Sequence, residues 1–181
     1  MKIKNILKLL LLIIVLSIIT IYDIADRSKF YSTASSLDEL TTFSIQETSQ
    51  QQQIAYIKNF GNKKYSFPRE KVSKVKLFKN TLLISRLTCK TLNKQNEELI
   101  ISLLNNPSNF SWEETTWNTN EAEYILRFYN NEELEIGKIW LCIKECGMTK
   151  AYPFSPNMKY GALSSIGKFR LEQILTSIEK Q

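Results

Sequence analysis

Residues 122–129 read AEYILRFY, residues 130–133 NNEE, and residues 134–143 LEIGKIWLCI. The outer runs are rich in aromatic and β-branched side chains and read as strands. The polar quartet between them reads as the turn that lays one antiparallel to the other. MTKAYPF (148–154) is a third strand candidate, followed by an SPN loop. Upstream, EKVSKVKLFK (70–79) alternates, with Val75 and Leu77 on one side and Lys74, Lys76 and Phe78 on the other, as a half-buried strand does. TLLISRL (81–87) continues it after a turn at Lys79-Asn80.

Helices are set apart from these strands. Asn93 reads as the N-cap of a helix ending near Leu104, with an apolar stripe of Leu99, Ile100, Leu103 and Leu104. Asn105-Asn106-Pro107 stops it. SSIGKFRLEQILTSIEK (164–180) places Leu171, Ile174, Leu175 and Ile178 on one face of a closing amphipathic helix. The expectation is α+β: an antiparallel sheet of three to five strands packed against amphipathic helices, including a C-terminal one. No period of 20–50 residues repeats.

At 181 residues the chain suits one ordinary domain with a core of its own. It contains no histidine. That removes Ser-His-Asp and Cys-His nucleophile systems, His-ligated metals and the usual neutral-pH acid or base. No Gly-rich phosphate loop, Walker motif or G-x-S-x-G is present either. The expectation is a non-catalytic protein without a cofactor or resident metal.

The N-terminus supplies the location. Lys2, Lys4 and Lys8 precede an apolar run from Leu9 to Tyr22, which Asp23 ends. The run covers about 21 Å of helix, or roughly 25 Å counted from Ile6 with Lys8 snorkelling, enough for a slightly thinned bilayer. Cleavage signals are poor: Asp23 spoils a cut after Ala25, and the Ser32–Ala34 pair lies well past the apolar block. Residues 1–27 therefore read as an uncleaved signal anchor, with secretion after cleavage as the alternative. Lysines on the near side alone keep the N-terminus in the cytoplasm and send the rest across the inner membrane to the periplasmic side. Beyond the anchor, 21 basic side chains face 18 acidic ones, so the exported part is only mildly basic.

Residues 28–53 are polar and read as a stalk or loosely packed helix, with ETSQQQQ (47–53) its least foldable piece. Ser36-Leu37-Asp38-Glu39 matches a capping box, and Leu37, Leu40 and Phe43 keep an approximate helical spacing. Packed structure resumes at Ile54, so residues 54–181 read as one domain.

Cys142 and Cys146 would stand about 13 Å apart in a straight strand, beyond the roughly 7 Å a disulfide tolerates, unless the chain turns. Lys144, Glu145 and Gly147 supply such a turn. Cys142 is most simply a buried thiol. A Cys142–Cys146 clamp, or a bond from either to Cys89, stays open, as does a reactive thiol. The spacing and the missing histidines argue against zinc.

KKYSFPREKVSKVKLFK (63–79) carries seven cations, with Tyr65, Phe67 and Phe78 interleaved. Lys63, Lys64, Arg69, Lys71, Lys74 and Lys76 are the candidate anion-binding residues. Outside the cytoplasm their partners would be lipid headgroups or polyanionic polymers, with no nucleic acid expected. The plainer reading is the solvated face of a lysine-rich strand. The pairs Glu97-Glu98, Glu113-Glu114 and Glu132-Glu133 fall at helix starts or turns, where acids are ordinary. Trp112, Trp117 and Trp140 read as core or sheet-face residues, although Trp112 or Trp117 left on the surface would mark an interaction patch.

The run from LLNNPSNFSW through FYNNEE and KYGALSSIGK to the closing helix resembles a recurring pattern in small exported or membrane-anchored bacterial proteins of uncharacterised function. It covers roughly residues 93–178. The resemblance implies an export segment and an α+β domain, and transfers no catalytic residue. Function is accordingly expected as a non-catalytic interaction or structural module of the bacterial envelope. A polyanion- or headgroup-binding module and a thiol-dependent enzyme or sensor are the rivals.

Overall fold

The computed structural model describes residues 3–37, 49–80, 89–114 and 117–181, with the backbone alone at residues 3 and 22–37. Its elements are α1 (Ile3–Leu37), α2 (Ser49–Lys58), β1 (Lys74–Lys79), β2 (Lys90–Thr91), α3 (Lys94–Leu104), β3 (Tyr124–Tyr129), β4 (Glu135–Cys142), β5 (Met148–Tyr152) and α4 (Ser165–Glu179). Short 3₁₀ turns lie at Lys63–Tyr65, Pro107–Asn109, Thr119–Glu121 and Pro156–Met158. The fold is α+β.

All pairings in the sheet are antiparallel, in the order β2-β1-β3-β4-β5. The hairpin at its centre forms as expected. Asn130 Oδ1 accepts the backbone N–H groups of Glu132 and Leu134, each at 3.0 Å, which folds the polar quartet back on itself. The third strand candidate becomes β5. TLLISRL lies outside the described residues except for its neighbour β2, two residues long and laid against Lys76 and Leu77.

Alternation sorts the side chains onto two faces. Val75, Leu77, Leu126, Phe128, Ile139 and Leu141 form one, and Ile100, Leu103 and Leu104 of α3 with the apolar stripe of α4 pack on it to make the main core, while Leu99, expected in the α3 stripe, stays exposed. Phe78, Ile125 and Trp140 belong to the other, with Ala122, Trp117 and Tyr152 against them. The split at β1 is the one its sequence predicts.

The helix signals hold at residue level. Asn93 Oδ1 accepts the N–H of Asn96 at 2.9 Å and caps α3. Asn105, just past the end of α3, donates to the Ile101 carbonyl at 2.9 Å and accepts the N–H of Phe67 at 2.8 Å. Ser164 caps α4 through the N–H of Gly167 at 3.1 Å. The Ser36–Glu39 capping box and the Leu40 and Phe43 positions fall in or run into residues outside the description.

α2 begins at Ser49 and takes in Gln50–Gln53, ahead of the expected restart at Ile54. It is seated by aromatic rings: Tyr56 lies 5.9 Å from Trp112, 5.4 Å from Phe154 and 5.6 Å from Tyr160. The Tyr160 hydroxyl donates to the Ser49 carbonyl at 3.1 Å. α1 carries a segment, Lys4–Ile21, long and apolar enough to cross a membrane. A signal sequence has the same length and composition.

Candidate functional site

The cysteines, the candidate cations, the tryptophans and the carboxylate pairs all fall among the described residues. Cys142 ends β4, the chain reverses through Lys144 and Glu145, and the Lys144 N–H donates to Glu123 Oε1 at 3.0 Å. Gly147 has φ +59°, a conformation glycine adopts without a Cβ penalty. This reversal brings the Cα atoms of Cys142 and Cys146 to 5.6 Å, and the two are joined in a disulfide. Cys142 is thus a buried half-cystine and not the buried free thiol that its strand position alone suggests. Cys89 is free and exposed beside β2.

The six candidate cations do not share a single partner, although Lys64 and Arg69 flank one ring. Lys64 Nζ stands 5.3 Å from the Tyr65 ring centre and the Arg69 guanidinium 5.9 Å from the same ring, while Arg69 donates to the Phe154 carbonyl at 3.4 Å. Lys63 and Lys71 are exposed. Lys74, on β1, is paired with Glu133 at 2.6 Å, and Lys76 lies 5.5 Å from the Tyr129 ring.

Two further cations escaped the sequence reading. Register sets Lys76 opposite Arg127, and Arg127 opposite Lys138, in a row across β1, β3 and β4 on the face away from α3 and α4. Arg127 is 9% exposed and Lys138 1%. Their charges lie over rings, Arg127 5.1 Å from Phe78 and Lys138 5.2 Å from Trp140, and Arg127 also reaches Glu135 at 3.4 Å. The signal was present: Arg127 and Lys138 are the cations that interrupt the two apolar hairpin strands. Counting by twos from Leu126 and Ile139 puts both on the second face.

The tryptophans do not form an exposed patch. Trp112 is half-buried among Tyr56, Phe60 and Tyr160, with Lys159 Nζ 5.3 Å from its ring. Burial pushes the Lys159 ammonium below its ordinary value. Trp117 packs on the Phe78–Trp140 cluster. Large apolar side chains left exposed on the domain include Leu99, Ile166 and Phe169.

The carboxylate pairs are divided by their surroundings. Glu97 is buried, accepting from the Val75 N–H at 3.1 Å and from Lys94 Nζ at 2.6 Å, while Glu98 is exposed. Glu113 and Glu114 are exposed, and so are Glu132 and Glu133 in the hairpin turn. No group of three His, Cys, Asp or Glu side chains is placed to hold a metal among the described residues.

What the fold does build is a cleft of about 350 Å³ between α3 and α4. The helices run in opposite senses. Asn96, near the start of α3, donates to Ser177 Oγ at 3.5 Å near the end of α4. Arg170, early in α4, donates to Asn109 Oδ1 at 3.0 Å beyond the end of α3. Helical spacing of three and four aligns Asn96, Leu99 and Leu103 along one wall, which Asn106 extends past the end of α3, and Arg170, Gln173, Ile174 and Ser177 along the other. Asn96 and Asn109 are 2% and 1% exposed. Asn109 is fixed further by donating to the Leu103 carbonyl at 2.8 Å. Arg170 is the one charged residue of the lining, which contains no carboxylate, cysteine, lysine or tyrosine. Such a surface can hold a ligand by hydrogen bonds, and it offers no nucleophile with a base beside it.

No protein-family model, no curated protein and no solved structure matches the chain.

Proposed function

We propose that the chain is a membrane-tethered binding protein of the bacterial envelope. Its N-terminus lies in the cytoplasm and its α+β domain on the far side of the inner membrane. It acts by holding a partner and not by catalysis. The observation that carries this reading is the α3/α4 cleft, a site of ligand size lined by amides, hydroxyls and aliphatic groups without a nucleophile–base pair.

The tether is supported by α1, in which every residue from Leu9 to Val15 is at least 45% exposed, an apolar surface that water does not favour. Lys4 and Lys8 at its start, with Lys2 before them, support the orientation. The Cys142–Cys146 disulfide supports an oxidising compartment. The headgroup-binding alternative needs its six cations to converge, and the pairing of Lys74 with Glu133 counts against that. The thiol alternative is left with Cys89, since Cys142 and Cys146 are joined.

The test uses cells producing the full chain, treated with a membrane-impermeant maleimide and then extracted with alkaline carbonate. The expected result is a protein that stays with the membranes and is labelled at Cys89 before lysis. Release by carbonate would remove the tether. Labelling of Cys89 only after lysis would reverse the orientation.

A further inference from the structure

The α3/α4 cleft has three properties that narrow what fills it. Its walls present side-chain amides from both sides, Gln95 on α3 and Asn106 just past its end, and Gln173 on α4. Gln95 and Gln173 each offer an acceptor carbonyl and an NH₂ donor, the complement of the N–H and C=O edge of a peptide unit, and Asn106, whose Oδ1 already accepts from Ser108, offers its NH₂. Between the amides lie Leu99, Leu103 and Ile174, aliphatic surface for side chains, with no aromatic ring to stack on the face of a sugar. Charge is confined to one end. Arg170 gives one N–H to Asn109 Oδ1, and a guanidinium has five.

Length fits as well. From Gln95 to Leu103 the α3 wall climbs about 12 Å at 1.5 Å per residue, the reach of about four extended residues at ~3.3 Å each. We infer that the cleft binds a short extended peptide segment whose C-terminal carboxylate sits against Arg170. The side-chain amides pair with its main chain, and the guanidinium supplies a charge-assisted bond to its end. This inference rests on the reading of the domain as a binding module and names the class of its partner.

The experiment exposes the immobilised full chain, in detergent micelles, to a randomised pentapeptide mixture. The mixture is made once with free C-terminal carboxylates and once as C-terminal amides, and retained peptides are counted by mass spectrometry. Free-acid peptides are expected to be retained about tenfold over amides, the scale of one charge-assisted hydrogen bond. Arg170→Gln should abolish the preference. Ser177→Phe, which fills the cleft without touching the Arg170–Asn109 bond, should abolish retention of both mixtures and decides the matter where Arg170→Gln does not fold. Equal retention of acid and amide, a preference that survives Arg170→Gln, or retention that survives Ser177→Phe overturns the inference. So does retention of a soluble N-acetylglucosamine trimer in place of the peptides. A chain that resists carbonate and labels at Cys89, yet holds no peptide, sinks this inference and leaves the tether standing. One that holds peptide and washes off membranes does the reverse.

Discussion

Glu97, in the first turn of α3, accepts the backbone N–H of Val75 in β1 at 3.1 Å. Both residues are buried, and the bond ties the helix that walls the cleft to the sheet beneath it. Removing the acceptor strands a buried donor, which costs about 1–3 kcal/mol. Glu97→Ala should therefore lower the unfolding free energy of the full chain in micelles by about that amount, seen as a lower urea midpoint. Glu97→Gln, which keeps an acceptor oxygen, should lose less. An unchanged midpoint for Glu97→Ala would mean the tie does not hold α3.

Gly167 in α4 is predicted to reverse a familiar rule. Alanine in place of a helical glycine normally gains about 1 kcal/mol. Here a Cβ would stand 2.0 Å from the Asn109 carbonyl oxygen and 2.8 Å from its carbon. That same oxygen accepts the Ser164 N–H at 2.9 Å, so it is not free to swing aside. Gly167→Ala should lose about 1–3 kcal/mol or more by overpacking, seen as a lower Tm. It should also weaken ligand retention, because Asn109 forms the floor at the Arg170 end of the cleft. A raised Tm would show that α4 is not pressed against Asn109.

The disulfide between Cys142 and Cys146 closes a loop with a sequence separation of 4. Loop entropy for so short a closure is worth on the order of 2 kcal/mol. Cys146→Ser should lower stability by about that much in oxidising buffer. The parent chain in reductant should fall to a similar level, and reductant should not move the variant. Were reductant to leave the parent chain's unfolding unchanged, the bond would contribute nothing to the fold.

These three sites mark how far local sequence carries. Alternation in EKVSKVKLFK assigned Val75 and Leu77 to the core face, and Asn93 announced the start of α3, because both signals act within a few residues. The bond from Glu97 to Val75 spans 22 positions, and nothing in the pair Glu97-Glu98 says which acid turns inward. The cleft is subtler still. Gln95, Gln173 and Ser177 read as ordinary polar helix surface, and Asn106 as part of a helix stop, until α3 and α4 pack in opposite senses. Only then do two polar stripes face each other. The same holds for Lys76, Arg127 and Lys138, whose alignment depends on β1 pairing with β3 across the long connection that contains α3, as well as on the β3–β4 hairpin.

The ion pair between Lys74 and Glu133 makes a prediction about pH. Lys74 Nζ donates to Glu133 Oε1 at 2.6 Å. That hydrogen bond first, then the charge of Lys74 and that of Lys76, holds the Glu133 carboxyl below the ordinary carboxylate range. With the folded value depressed, whatever the pair contributes is present above the unfolded value and is lost as pH falls through the folded one. Glu133 is exposed, so water and salt screen the pair, and acid should change global stability little through this site. The titration itself is the sensitive readout. In a carboxyl-detected NMR titration, Glu133 should show its midpoint below that of glutamate in an unstructured peptide. Lys74→Met should move it upward but not all the way, because Lys76 remains on the same face of β1. High salt should shift the parent chain in the same direction. If Lys74→Met leaves the midpoint where it was, Lys74 is not bound at the hairpin turn. It would then be available to the cationic face that the pairing now argues against.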